Sequence, residues 1–91
     1  MEIFIVTNMT RDDNEIHAAT LGAYTKYDKA KAVYDTELET TKRESSWFQR
    51  NENEYGHPIE DRSGRDYVVT GIAFGDQYFF YELIIEKRAL E

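Results

Sequence analysis

Length, composition and charge set the first limits on this sequence. It has 91 residues, 41% of them hydrophobic, and a chain of this size supports one domain with a single thin core. It contains no cysteine, which excludes disulfide frameworks, thiolate zinc sites and a cysteine nucleophile. Its net charge of −7 argues against electrostatic binding to nucleic acid or to an anionic membrane. We therefore expect neither of these as a partner.

The two ends of the sequence bear on location and on domain bounds. Residues Met1 to Thr7 have no basic region followed by a long apolar one, so a signal peptide is not expected. The expected location is therefore the cytoplasm. Leu90-Glu91 resembles the junction before a purification tag, and we assign residues 1–89 to a single α+β domain.

The first two predicted elements are strands. The range Ile3–Thr7 is almost continuously apolar, which indicates a strand covered on both faces and central in its sheet. The range Met9–Asn14 is polar and contains Arg11-Asp12-Asp13-Asn14, which predicts a turn, and Glu15–Tyr24 predicts a second strand. Because the connection is short, these two strands are expected to pair as an antiparallel hairpin.

A helix is predicted to begin at Thr25. Thr25 and Asp28 have the spacing of a capping box, in which each side chain accepts a hydrogen bond from a backbone amide of the first turn. One apolar stripe follows at three- and four-residue spacing, formed by Tyr27, Ala30, Tyr34, Leu38 and Thr41. The spacing continues to Phe48, which would extend the helix beyond Ser45, whereas Ser45-Ser46 favours an end there.

Residues 49–66 form the longest stretch without a periodic pattern. Loops of this length in a compact domain are typically functional or disordered, and we take this one as a candidate functional loop. Its candidate residues are Tyr55, His57, Arg62 and Arg65. The two arginines flank Gly64 and could bind a small anion, although a turn held by local ion pairs is the simpler interpretation.

The last two predicted strands span Asp66–Phe74 and Gln77–Arg88. Gly75-Asp76 between them is typical of a two-residue type II′ hairpin turn. That turn would pair Ile72 with Phe79, Thr70 with Tyr81 and Val68 with Leu83, and we assign this face to the helix. On the other face it would pair Ala73 with Tyr78, Gly71 with Phe80, Val69 with Glu82 and Tyr67 with Ile84.

These elements predict an α+β fold with the order β-β-α-β-β. It would consist of a single antiparallel, or mostly antiparallel, sheet of about four strands with one helix packed on one face.

The residues that could carry chemistry are dispersed. His17 and His57 are far apart, with no further nitrogen or sulfur ligand at metal-binding spacing. The adjacent acids Asp12-Asp13 and Glu60-Asp61 lie in polar segments, where solvated carboxylates are the rule. No serine lies in a nucleophile-elbow motif, and no glycine-rich phosphate loop is present. We predict no enzyme activity, no metal and no cofactor.

The aromatic content carries more information, because Phe, Tyr and Trp make up 14% of the chain. Four side chains share the sheet face assigned away from the helix: Tyr67, Tyr78, Phe80 and Ile84. In one interpretation, Trp47, Phe48, Tyr55 and Ile59 fold over this face and form a second small core. In the other, the face contacts another protein or a second copy of this chain, as in a homodimer.

The range Leu21–Thr25, followed by Asp28 and Ala30, resembles small uncharacterised α+β domains of bacteria and their phages. These domains open with a strand like Ile3–Thr7 and cap their helix with serine or threonine. The resemblance covers residues 1–38 and the C-terminal hairpin in outline. It implies no catalytic residues, since none are assigned to such domains.

The function predicted from these patterns is a small, non-catalytic protein-interaction module, of the kind carried by phages or mobile elements. One alternative is a domain that binds a small ligand, or regulates, through the 49–66 loop. A second alternative is an acidic inhibitor that mimics the charge of nucleic acid.

Overall fold

In the computed structural model the centre of the sheet is formed by two long strands from opposite parts of the chain. The described residues are 1–12, 15–45, 60–61, 67–75 and 79–89. The elements are β1 (Glu2–Asp12), β2 (Glu15–Tyr24), α1 (Tyr27–Glu44), β3 (Glu60–Asp61), β4 (Val68–Gly75) and β5 (Phe79–Ala89). Every strand pairing is antiparallel, and the spatial order is β2-β1-β5-β4-β3.

The predicted α+β architecture is confirmed. Four long strands and one helix follow one another as β-β-α-β-β, and the helix packs on one face of the sheet. The two-residue strand β3 pairs with β4 at the sheet edge. It falls inside the predicted 49–66 loop, so that segment is not irregular throughout. The remaining residues of the loop lie outside the described part of the chain, as do Leu90-Glu91.

β1 has the predicted central position but is longer than predicted. The turn assigned to Arg11–Asn14 is wrong for Arg11 and Asp12, because these residues pair with β2 on one side and with β5 on the other, as do Met9 and Thr10 before them. Hydrogen bonds to β2 and to β5 satisfy the backbone groups on both sides of β1. The stabilisation from these bonds outweighs the preference of the polar side chains for turns. β2 has the predicted bounds and forms the predicted antiparallel hairpin with β1.

The β1–β2 ladder contains one irregularity. Val6 pairs with Gly22 whereas Thr7 pairs with Thr20, so Leu21 is an extra residue on β2. Such a bulge re-aims the side chains that follow it. Leu21 packs against the core, while Glu15 to Thr20 are exposed.

The helix begins two residues later than predicted. Its N-cap is Lys26, with no side-chain capping bond, so the capping box proposed for Thr25 and Asp28 is wrong. Tertiary contacts hold the first turn instead, since the Tyr27 ring meets Phe4 edge-on at 5.7 Å and its hydroxyl lies 2.6 Å from Thr70 Oγ1. At the other end, Ser45 has an extended backbone and its amide bonds the Thr41 carbonyl at 2.8 Å. The helix therefore ends at Glu44, and its predicted extension past Ser45 is wrong.

The register of β4 against β5 differs from the prediction. Ile72 pairs with Leu83 and Phe74 with Tyr81, a slip of four residues along β5, and Gly75 pairs with Phe80. The two-residue turn is therefore wrong, because Gly75, which was predicted to lie in that turn, is the last residue of β4. The observed register places large buried side chains opposite each other, which stabilises a sheet more than an ideal turn does. A Cβ on Gly75 would overlap the carbonyl oxygen of Phe79, so glycine is required there.

The assignment of faces is nevertheless correct for most of the hairpin. A slip by an even number of residues leaves every side chain on its original side of the sheet. Val68 is the exception. An irregularity around Val69 pairs Val68 with Glu86, on the side away from the helix.

The main core lies between the helix and one face of the sheet, and Ala73, on the opposite face of β4, is fully buried as well. Its buried members are Val6, Ala30, Tyr34, Phe74, Tyr81, Leu83 and Ile85. The predicted helix stripe is confirmed, because Ala30 and Tyr34 are buried. The helix is also joined to β1 by a hydrogen bond that Asn8 Nδ2 donates to Glu37 Oε1 at 3.2 Å. No helix in the described ranges is long and apolar enough to cross a membrane.

Candidate functional site

The sheet has a second face, opposite the helix, which we call the outer face. Strand alternation defines it on β5, where Tyr81, Leu83 and Ile85 face the core and the residues between them point the other way. Its β5 members are Phe80, Glu82, Ile84 and Glu86. Pairing extends it to β1 and β2, because Arg11 lies opposite both Phe80 and Ile16, and Met9 opposite both Glu82 and Ala18. Among the described elements only strands form this face.

Three of the predicted interface residues lie together on the outer face. Phe80 and Ile84 are half-buried, and Tyr67, just before β4, is 44% exposed. Tyr67 and Ile84 line the same depression. Tyr78 lies outside the described residues, as do the candidate loop residues Tyr55, His57, Arg62 and Arg65.

The depression at the middle of the outer face has a volume of about 320 Å³. It is lined by Thr7, Met9, Ala18, Thr20, Tyr67, Glu82, Ile84 and Glu86, among others. A second one, of about 340 Å³, lies towards the β1–β2 turn and is lined by Met9, Arg11, Ile16, Phe80 and Glu82. Both combine apolar walls with carboxylates and are broad rather than enclosed, which suits a protein surface better than a small molecule.

Each end of the outer face carries an arginine whose guanidinium lies over an aromatic ring. The Arg88 guanidinium lies 3.7 Å from the centre of the Tyr67 ring, and its Nη2 is 3.2 Å from a carboxylate oxygen of Glu86. The Arg11 guanidinium lies 5.9 Å from the centre of the Phe80 ring. These contacts favour ordered aromatic side chains at the rim of the depressions.

The sequence did not indicate the contribution of β1 and β2 to this face. The prediction drew its residues from the β4–β5 hairpin alone, whereas Met9, Arg11 and Ile16 share the face. Ile16, Ala18 and Thr20 alternate along β2 and could have indicated it. The sequence pattern did not reveal the strand order, which places β1 beside β5.

Among the described residues, His17 and Tyr81 are titratable groups with contacts of note. His17 Nε2 lies 3.3 Å from Glu15, and both side chains are exposed. Burial raises the pKa of the Tyr81 hydroxyl, the charge of Glu37 raises it further, and a hydrogen bond from Thr41 lowers it. Tyr81 belongs to the core, not to a cleft. The described ranges contain no group of three or more His, Cys, Asp or Glu side chains that could hold a metal ion.

Comparison with known proteins assigns no family to this chain. No protein-family model matches the chain, and neither the curated proteins nor the solved structures gave a match.

Proposed function

We propose that this protein is a small, non-catalytic interaction module that binds another protein through the outer face. The observation that supports this is the exposure of large apolar side chains on that face. Ile16 is 67% exposed and Tyr67 is 44% exposed, and half-buried Phe80 and Ile84 lie between them. Apolar patches of this kind on a soluble domain typically mark interaction sites.

The charges on the outer face indicate the chemistry of the partner. The chain carries −7 overall, and Glu82 and Glu86 line the central depression around Ile84. A complementary surface would place an apolar side chain over Ile84 and carry a net positive charge to match that of the chain, although Glu86 is already paired with Arg88. Charge complementarity of this kind contributes mainly to specificity and to the rate of association.

Ile84→Ser tests the proposal. Proteins from the native host would be captured on the wild-type domain, on Ile84→Ser and on the matched control Ala32→Ser, which changes an exposed residue of the helix. We expect a protein that is retained by the wild type and the control and lost by Ile84→Ser. Calorimetry with that protein, once purified, should show binding weakened about tenfold or more.

Circular dichroism separates loss of binding from loss of fold. If a folded Ile84→Ser variant bound the same protein as tightly as the wild type, the outer face would not be the interface. The alternatives based on the 49–66 loop and on mimicry of nucleic acid stay predictions. A thermal-shift screen with metabolites is the direct test of the loop hypothesis.

A further inference from the structure

The edge of the sheet formed by β2 is a second exposed surface, distinct from the outer face. Each residue from Glu15 to Thr20 is exposed, and in the described structure β2 pairs with β1 alone. In an antiparallel ladder the backbone groups of alternate residues point away from the paired neighbour. This edge therefore presents backbone donors and acceptors to solvent along six residues.

Edge strands are usually protected against further pairing, and within Glu15–Thr20 this one has few of the usual devices, since the bulge of β2 lies beyond that segment at Leu21. Proline, lysine or an inward-pointing charge normally blocks addition of another strand. The segment Glu15–Thr20 contains no proline and no lysine, and its one carboxylate, on Glu15, is 3.3 Å from His17. Ala18 and Ala19 at its centre are small and allow close approach. The opposite edge differs, because β3 pairs with β4 there.

We propose that β2 pairs with β2 of a second copy of this chain, antiparallel, about a twofold axis at Ala18. In this register Ala18 faces Ala18, Ile16 faces Thr20 and His17 faces Ala19 of the second copy. Glu15 then lies beyond the last regular pair, opposite the bulge at Leu21 of the second copy, so no acid faces an acid. The one acid of the segment is thus kept from facing its counterpart in the second copy, and a twofold axis is the commonest symmetry of such assemblies.

The expected dimer is weak. Pairing of one six-residue segment buries less surface than the ~1,200–2,000 Å² of stable interfaces, so association should depend strongly on concentration. It would join two sheets into one, with the outer faces of both copies side by side. The proposal does not rest on the outer face binding another protein, because it uses backbone groups at the edge.

Sedimentation velocity from micromolar to millimolar concentration tests the proposal. We expect the wild type to pass from monomer to dimer. Ala18→Lys and Ala18→Glu should each weaken association roughly fivefold or more, since they place like charges opposite each other at the axis. A mixture of the two variants should form a heterodimer. The control Ala32→Lys adds the same charge to an exposed helix position and should associate as the wild type does.

Several results would overturn the proposal: a wild type that stays monomeric throughout, an Ala18 variant that dimerises like the wild type, or a mixture that fails to associate. Hydrogen exchange on the wild type gives a second measurement that needs no variant. Alternate amides between Glu15 and Thr20 should gain protection as concentration rises. Protection of outer-face residues alone would instead indicate a different dimer.

Discussion

Leu83 and Ile84 are consecutive residues on opposite faces of β5. Replacing each with alanine compares how much packing on the two faces contributes to the free energy of unfolding. Leu83 is fully buried under the helix, whereas Ile84 is half-buried on the outer face. Leu83→Ala removes three carbon atoms, a loss of roughly 2.4 kcal/mol at about 0.8 kcal/mol per methylene. The cavity left behind increases the cost to about 3–4 kcal/mol. Ile84→Ala should cost about 1.5 kcal/mol, because solvent can occupy the vacated space.

Urea unfolding monitored by circular dichroism measures both values. Each kcal/mol of lost stability lowers the melting temperature of a domain of this size by roughly 4 °C or more, so Leu83→Ala should lower it by about 12 °C or more. The difference between the two variants is the critical quantity. Equal costs near 3 kcal/mol would show that the outer face is covered as a second core, and the proposed interface would then be refuted.

Three further variants test contacts made by the helix. Folding favours the neutral phenol of Tyr81, so its contribution is present below the unfolded pKa of about 10 and is lost as pH rises through the higher folded pKa. Stability against urea should therefore fall above pH 10, and Tyr81→Phe should lessen that fall; an unchanged pH profile would contradict this. Asn8→Ala should lower the free energy of unfolding by about 1–2 kcal/mol, and a double-mutant cycle with Glu37→Ala, which removes the acceptor oxygen, should show coupling; additive losses would contradict the hydrogen bond. Thr25→Ala should lower the free energy of unfolding in urea by less than about 0.5 kcal/mol, whereas replacing a true N-cap residue lowers it by about 1 kcal/mol.

The sequence predicted those features of the fold that depend on local pattern. The bounds of β2 and the buried stripe through Ala30 and Tyr34 follow from residue spacing, which a single segment contains. The start of the helix was wrong because contacts of Tyr27 with Phe4 and Thr70 determine it, and these residues are distant in sequence. The register of β4 against β5 was wrong for a similar reason. Packing of Phe74 against its cross-strand neighbours outweighed the local turn signal.

The candidate site was predictable only in part. Alternation along β5 placed Phe80 and Ile84 on one face even with the wrong register. The contribution of Met9 and Ile16 requires knowing that β1 lies between β2 and β5, which no local pattern specifies. The loop residues proposed alongside them stay a prediction.

The pairing of β1 with β5 has a consequence for how the domain folds. These strands are distant in sequence, yet they are adjacent at the centre of the sheet, with Glu2 opposite Ala89 and Asp12 opposite Phe79. Contacts of such long sequence separation slow folding, because the loop entropy is lost before the contacts form. During synthesis, β1 and β2 can form their hairpin early, but β1 lacks its second neighbour until β5 has emerged. Until then, the hydrogen-bonding edge of β1 is the site at which a nascent chain would misassociate.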